Sequence, residues 1–369
     1  MAGAPISKAH AAEAPAARPA AKRSPVGRLL IAVTVLFLTA FVVLPVINVF
    51  SQALSNGVGA YVETFYAPPS HVAQPSLSEK LKADAKRGQV ERTWSAIRLS
   101  CIVAAIVVPL NIVFGLAAAW AISKFQFRGR VLLITLIDLP FSISPVIAGL
   151  VFVLLLGRGG IFGDWATNLQ WPDPTSLAWQ GFSGHFWPFV FARTYQGIIF
   201  TPLAIVLATI FVTFPFVARS LIPLMDAQGL EEELAALSLG AGGWRTFRTV
   251  TLANIKWGLL YGTILCTARA FGEFGAVSVV SGHIDVNDTM PLRIEKLWNE
   301  YNTQAAFSVA TLLAGLAVLT LIIKGAVEWK TNRTQTAEPF EKEVKSDEHR
   351  SAGDQQILRL RPGAQGREP

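Results

Sequence analysis

Charge is scarce in this chain. Only 15% of its 369 residues are Asp, Glu, Lys or Arg, against 52% hydrophobic ones, whereas a soluble domain carries about 25% charged residues. Mean hydropathy is +0.43, which excludes a free soluble enzyme before any motif is read. Two cysteines, Cys101 and Cys266, are too few for a disulfide scaffold or a four-ligand zinc site. Both lie inside apolar runs and read as buried free thiols. The five histidines (His10, His71, His185, His283, His349) form no pair at metal-ligand spacing, so no metal is expected. No Gly-Lys dipeptide occurs, which excludes a Gly-x-x-x-x-Gly-Lys-Ser/Thr phosphate loop. Neither a Gly-x-Ser-x-Gly elbow nor a His-Glu-x-x-His helix is present, and no catalytic constellation stands in their place. The formal charge of +7 does not indicate nucleic acid, because the basic residues cluster beside apolar runs, as in membrane proteins.

What the chain does have is long apolar runs. Crossing ~30 Å of hydrocarbon takes about 20 mainly apolar residues. Six runs qualify: 29–50, 94–122, 131–156, 198–218, 257–281 and 306–329. The first is uncharged. The second holds Arg98 near its start, the third Asp138 with Pro140 and Pro145, and the fourth Pro202 and Pro215. The fifth holds Arg269 and Glu273, and the sixth Lys324 near its end. Proline inside a span predicts kinks that neighbouring helices satisfy. Run 29–50 exceeds the 7–15 apolar residues of a signal peptide. Ser51-Gln52-Ala53 fits a cleavage pattern, but the run reads as a retained span.

Orientation follows from the loops. With the N-terminus inside, segments 1–28, 123–130, 219–256 and 330–369 hold 20 Lys and Arg, against 9 in 51–93, 158–197 and 282–305. This positive-inside bias predicts that both termini are cytoplasmic. Segments 1–28 and 330–369 read as disordered cytoplasmic tails, and 51–93 as a periplasmic loop. Segment 158–197, with Trp165, Trp171, Trp179 and Trp187, reads as an outer-face insert. It either rests on the membrane interface or docks an external partner.

Segment 219–256 is the most informative part of the chain. Glu231, Glu232 and Glu233 suit the first turn of a helix, where acidic groups meet the positive end of the dipole. Leu230, Leu234, Leu237 and Ser238 then share one face. Gly240 stands where a left-handed residue ends a helix, and Gly242 and Gly243 permit a reversal. A second short helix is expected over 244–250 with Arg245 and Arg248 exposed. The product is a helix–turn–helix hairpin at the inner face.

The stretch from Leu234 to Trp244, followed by Phe247-Arg-Thr-Val-Thr-Leu252, resembles the EAA loop of ABC importer permeases. Ala235, Ala236, Gly240, Val250 and Leu252 fall in register with that pattern. Leu234 stands where the pattern has Glu, and Ala253 where it has Pro. Residues 138–151 and 269–282 are similar to stretches of the sulfate/thiosulfate permeases, most closely the W-type subunit, over about residues 94–329. Molybdate permeases share part of them, notably 272–276. The resemblance implies an all-α polytopic membrane protein of six transmembrane helices with a type I ABC importer (MetI-like) core at 94–329. It also implies a bacterial inner-membrane location and a non-catalytic role. The implied partners are two copies of an ATPase that binds the ATP, a sister T-type permease and a periplasmic sulfate/thiosulfate-binding protein, with sulfate as substrate. Ala235, Ala236, Gly240 and Leu252 would then belong to the loop that couples to the ATPase.

Arg269 and Glu273, spaced i, i+4 on one helical face, are candidates for the translocation path or its gate. A structural ion pair between helices is the competing reading. Asp138 is either a gate element or an interhelical partner, and Lys324 a snorkelling end charge. A gradient-driven secondary transporter is a different class of protein. It predicts inverted repeats and midplane carboxylates. No repeat is evident, and Asp138 and Glu273 are its candidates.

Overall fold

The computed structural model describes residues 25–66, 76–172, 177–179, 189–191, 194–282, 287–326 and 329. Trp187, most of tail 1–28 and all of tail 330–369 lie outside them. The first helix, α1 (Pro25–Ala53), contains the first apolar run. Up to Val49 it belongs to a unit of its own.

The segment expected as a loop at 51–93 is largely helical. It contains α2 (Gly57–Glu63) and the first turns, nearly five at about 3.6 residues each, of α3 (Leu77–Lys124), a helix of 48 residues. A capping box starts α3: the Ser76 hydroxyl accepts from the Glu79 amide at 3.3 Å, and the Glu79 carboxylate accepts from the Ser76 amide at 2.8 Å. Such reciprocal capping satisfies two orphan donors. A search for apolar runs does not see it, because the first turns of α3 are polar. The Trp94 indole donates to the Phe65 carbonyl at 2.8 Å, and the Tyr61 and Thr311 hydroxyls meet at 3.0 Å.

The third run is broken. It forms α4 (Arg130–Ser142) and α5 (Pro145–Leu156), bent by 109°. Pro145 disfavours helical backbone at the residue before it and lacks an N–H, which places the break at Ile143–Ser144. Beyond α5 come α6 (Gly163–Asn168) and two antiparallel ribbons. These pair β1 (Gln170–Pro172) with β4 (Thr194–Gln196), and β2 (Leu177–Trp179) with β3 (Phe189–Phe191). Trp165 is exposed, whereas the Trp171 indole donates to the Gly197 carbonyl at 2.8 Å.

Helix α7 (Pro202–Gln228) runs ten residues past the expected end of its span. Then come α8 (Glu231–Ser238), α9 (Gly243–Thr246), a π-helical turn at Phe247–Thr251, and α10 (Leu252–Phe271). The fifth run is broken too, since α10 stops at Phe271 and α11 (Gly275–Val280) follows. The described chain closes with α12 (Met290–Asn299) and a last helix, α13 (Thr303–Ala326). Four described helices, α1, α3, α7 and α13, are long and apolar enough to cross a membrane, and the bent α4–α5 pair makes a fifth. Helix α10 carries Asn254, Lys256 and Arg269 in its 20 residues and falls outside that set. All six expected runs are helical, but only some by apolarity alone.

Close packing of α3, α7 and α10 forms the centre. A Cβ at Gly115 would lie 2.8 Å from Val217 Cβ, and one at Gly262 would lie 2.2 Å from Ser220 Oγ. Gly258 and Gly262 are spaced as in small-x-x-x-small helix contacts, which let backbones approach closely in lipid. Ala119, Val217, Leu221, Met225, Ile255 and Cys266 are buried together around them. Asn111 donates to Thr213 Oγ1 at 2.6 Å and to Cys266 Sγ at 3.4 Å, tying the three helices at a buried polar point. Cys266 is thus buried as expected, but Cys101 is exposed. It lies on the outer side of α3, where an apolar neighbourhood does not require burial within the chain.

Gly262→Leu is expected to separate α7 from α10 and to destabilise by about 1–3 kcal/mol, the usual cost of overpacking. Thermal unfolding in detergent checks it, with Gly315→Ala, whose added Cβ meets nothing within 4 Å, as the control that leaves the midpoint in place.

Candidate functional site

The hairpin occupies 229–251, shorter than the loop expected at 219–256 because α7 and α10 extend into it. Helix α8 begins with Glu231–Glu233 in its first turn and ends in a Schellman motif. The Ala241 amide donates to the Ala236 carbonyl and the Gly240 amide to the Leu237 carbonyl, both at 3.0 Å. Gly240 has φ +86°, the left-handed conformation that this motif requires and that glycine adopts without penalty. The expected second short helix is α9 running into the π turn. Such turns occur frequently at functional sites.

The apolar face of α8 is turned away from the chain. Leu230, Leu234, Leu237, Leu239 and Trp244 are 44%, 58%, 48%, 88% and 75% exposed. Ala235 is exposed and Ala236 half-buried on the same short helix. Leu252 is not at the tip. It opens α10 and packs against the cluster of Val217, Leu221 and Ile255.

The polar face of α8 is turned inward. The Glu233 carboxylate lies 3.1 Å from Lys124 Nζ, in a pair whose side chains are 5% (Lys124) and 15% (Glu233) exposed, and accepts from Thr251 Oγ1 at 2.6 Å. Glu232 accepts from Asn254 Nδ2 in the first turn of α10, and Lys124 also donates to the Gly229 carbonyl. Aromatic rings continue the joint. Phe247 stacks on Trp244 at 5.6 Å and meets Trp120 of α3 edge-on at 5.3 Å. A first-turn position explains the three glutamates by the helix dipole alone, and nothing local in the sequence marks Lys124 as their partner.

Arg269 and Glu273 lie at the far end of α10, roughly 25 Å along the helix axis from Leu252 at 1.5 Å per residue. They do pair, at 2.7 Å, but across the break in one segment instead of between helices. Glu273 is 1% exposed, and its second oxygen accepts from the Ala276 amide at 2.9 Å, so it staples the end of α10 to the start of α11. Arg269 remains 31% exposed. This break abuts the other one: a Cβ at Gly275 would lie 3.0 Å from Pro145 Cβ, and one at Gly149 2.6 Å from the Ala276 carbonyl oxygen. Asp138 is an interhelical partner, 2.7 Å from Arg219 Nε, with that guanidinium over the Phe141 ring. Lys324 stands over the Tyr261 ring at 5.3 Å, so this end charge has an aromatic partner within the chain.

A cavity of about 700 Å³ opens beside the end of α5, lined by Arg158, Thr167, Asn168, Gln196 and Phe200 among others. Phe200 holds a left-handed φ of +65°. Its amide donates to the Val280 carbonyl at 3.0 Å, and its carbonyl accepts from Asn287 at 2.7 Å. Nothing in the local sequence marks that conformation.

A set of apolar helices with one broken span and a second broken helix, carrying a hairpin that shows leucine and tryptophan to its surroundings, is the membrane-embedded component of a multisubunit transporter. The chain belongs to the inner membrane components of binding-protein-dependent transport systems, whose family profile matches residues 111–334. It is 41% identical over 304 residues to the sulfate transport system permease protein CysW of Synechocystis, covering 82% of this chain and 93% of that one. It is 40% identical over 318 residues to the protein of the same name in Escherichia coli, covering 85% and 90%. The sulfate transport system permease protein CysT of Escherichia coli is 31% identical over 234 residues, covering 63% and 74%. Among solved structures, a chain of a bacterial alginate ABC transporter bound to an alginate-loaded periplasmic protein shares the fold. It has a TM-score of 0.55 and 16% identity, with 84% of this chain and 94% of that one covered.

Glu273→Ala removes both the Arg269 pairing and the cap on α11, and is expected to lower the thermal midpoint clearly. Asp138→Ala leaves Arg219, already 54% exposed, without its carboxylate but removes no helix cap, and is expected to lower the midpoint less than Glu273→Ala in the same assay.

Proposed function

We propose that this chain is the W-type permease subunit of an ATP-driven importer for sulfate and thiosulfate. The carrying observation is 40–41% identity to CysW proteins along nine-tenths of their length. In this reading the chain pairs with a T-type sister, lies in the inner membrane with both termini cytoplasmic, and binds no ATP itself. Two ATPase subunits bind it. A periplasmic binding protein for sulfate or thiosulfate delivers the anion and sets most of the selectivity. Residues 94–329 form the permease domain.

Ala235, Ala236 and Gly240 belong to the coupling helix, whose exposed leucines seat in an ATPase groove, and Leu252 anchors the hairpin's return to the core. The family pattern places Glu at position 234. With Leu234 exposed there instead, the contact at that point is apolar. Closure of the ATPases on ATP moves the hairpin, and the helical core switches between two arrangements. Arg269 faces the path while Glu273 holds it in place. A dianion beside this neutralised pair is held weakly, as transit requires.

The test is uptake of radiolabelled sulfate in cells with and without the chain, with unlabelled thiosulfate or molybdate as competitors. The reading expects uptake to be lost on deletion and to be competed by thiosulfate but not by molybdate. Competition by molybdate reassigns the anion, and unchanged uptake in cells with no other sulfate route removes it. Gly240→Trp is expected to leave the spans inserted and abolish uptake, because a bulky L-residue disfavours the left-handed turn. Arg269→Ala is expected to reduce uptake more than Lys324→Ala. Equal mild effects would leave Arg269 a purely structural residue.

A further inference from the structure

Both backbone connections of the coupling helix are glycine joints. Gly229 precedes α8 with φ +65°, and Gly240 follows it with φ +86°. Gly242 and Gly243 come next, and an added Cβ at any of these four glycines meets nothing within 4 Å. Glycine has the widest backbone freedom of any residue, so beyond the two hydrogen bonds that close the turn at Gly240 the backbone alone orients α8 weakly. The side-chain joint is built differently. Lys124 is the last residue of α3, donates to the Gly229 carbonyl at the exit of α7, and pairs with Glu233 of α8. Glu233 also accepts from Thr251, the residue before α10. One nearly buried ion pair therefore fastens α8 to all three helices of the central packing.

We propose that the Lys124–Glu233–Thr251 joint is the mechanical coupler of the transport cycle, with Glu233 as its positioning residue. It transmits movement of the coupling helix to α3 and α10. The proposal rests on the transport reading above and adds to it where the force passes: through an inward carboxylate at 233, one residue before the apolar Leu234 that faces the partner. A charge-assisted hydrogen bond shielded from water is stronger than an exposed one, so the joint is stiff where the backbone is soft.

The experiment uses the whole complex in proteoliposomes and reads sulfate accumulated per ATP hydrolysed. Glu233→Gln and Lys124→Met are each expected to co-purify with the ATPase and keep hydrolysing ATP. Sulfate per ATP should fall about tenfold, within the usual range of coupling free energies between sites. The exchange Lys124→Glu with Glu233→Lys is expected to restore much of the ratio, and Glu233→Asp to keep part of it. A wild-type ratio in Glu233→Gln overturns the proposal. So does loss of ATPase co-purification in the single variants without rescue by the exchange, because the pair is then only structural.

A second measurement is independent of the substrate. Spin labels at Ser238 and Lys256, both exposed, are expected to give one narrow distance distribution in the complex and a broadened one in Glu233→Gln. Equal widths overturn the joint. An unsubstituted complex that moves no sulfate on ATP, with the labels behaving as expected, removes the sulfate reading and leaves the joint standing.

Discussion

The close approach of α3, α7 and α10 is the constraint on which the rest of the structure depends. In lipid, apolar side chains gain little by leaving one apolar surface for another, so helices associate through close contact and shared polar groups. Glycines at 115, 258 and 262 supply the contact, and Asn111 with Thr213 and Cys266 supplies the polar tie. Every feature near the hairpin is referenced to this packing. Lys124 closes α3, Gly229 follows α7, and Thr251 and Asn254 open α10. The hairpin is small, and α8 buries no residue of its own, so its geometry is borrowed from the three helices beneath it.

The two helix breaks divide the labour at the other end. α4 breaks before Pro145 and α10 breaks after Phe271, and the breaks face each other across Gly275. Broken helices leave backbone groups that the bilayer cannot satisfy, so they are tolerated only where protein or a water-lined path supplies partners. Glu273 supplies one by accepting from the Ala276 amide, and spends its remaining charge on Arg269. The same carboxylate thus satisfies the broken backbone and neutralises Arg269 beside it.

Much of this was legible in the residues. Apolar run length marks helix in each of the six runs, four of which, or five with the bent pair, are long and apolar enough to cross a membrane among the described residues, and Glu231–Glu233 with Gly240 delimit α8. The EAA-like register placed the hairpin. What escaped the reading has identifiable causes. The polar turns of α3 before Trp94 carry no apolar signal, and their start is encoded in Ser76 and Glu79 instead. A proline in an apolar run predicts a kink but does not distinguish bending from a 109° break. The Lys124–Glu233 pair joins residues 109 positions apart, and no local pattern reports a contact at that separation. Gly258 and Gly262 carried a readable packing signal that run length alone passed over. Exposure of Cys101 shows the limit of inferring burial from an apolar neighbourhood, since one side of a membrane helix faces outward from its own chain.

In the proposed cycle ATP, acting through the hairpin, drives an anion through this helical core. The most direct test is sulfate accumulation in proteoliposomes of known orientation that hold the complete complex and binding protein, with ATP supplied on one side at a time. Accumulation is expected only when ATP is on the hairpin side and the binding protein on the opposite side, with no effect of collapsing ion gradients. Sulfate flux that persists without ATP, or that follows an imposed proton or sodium gradient, would contradict it.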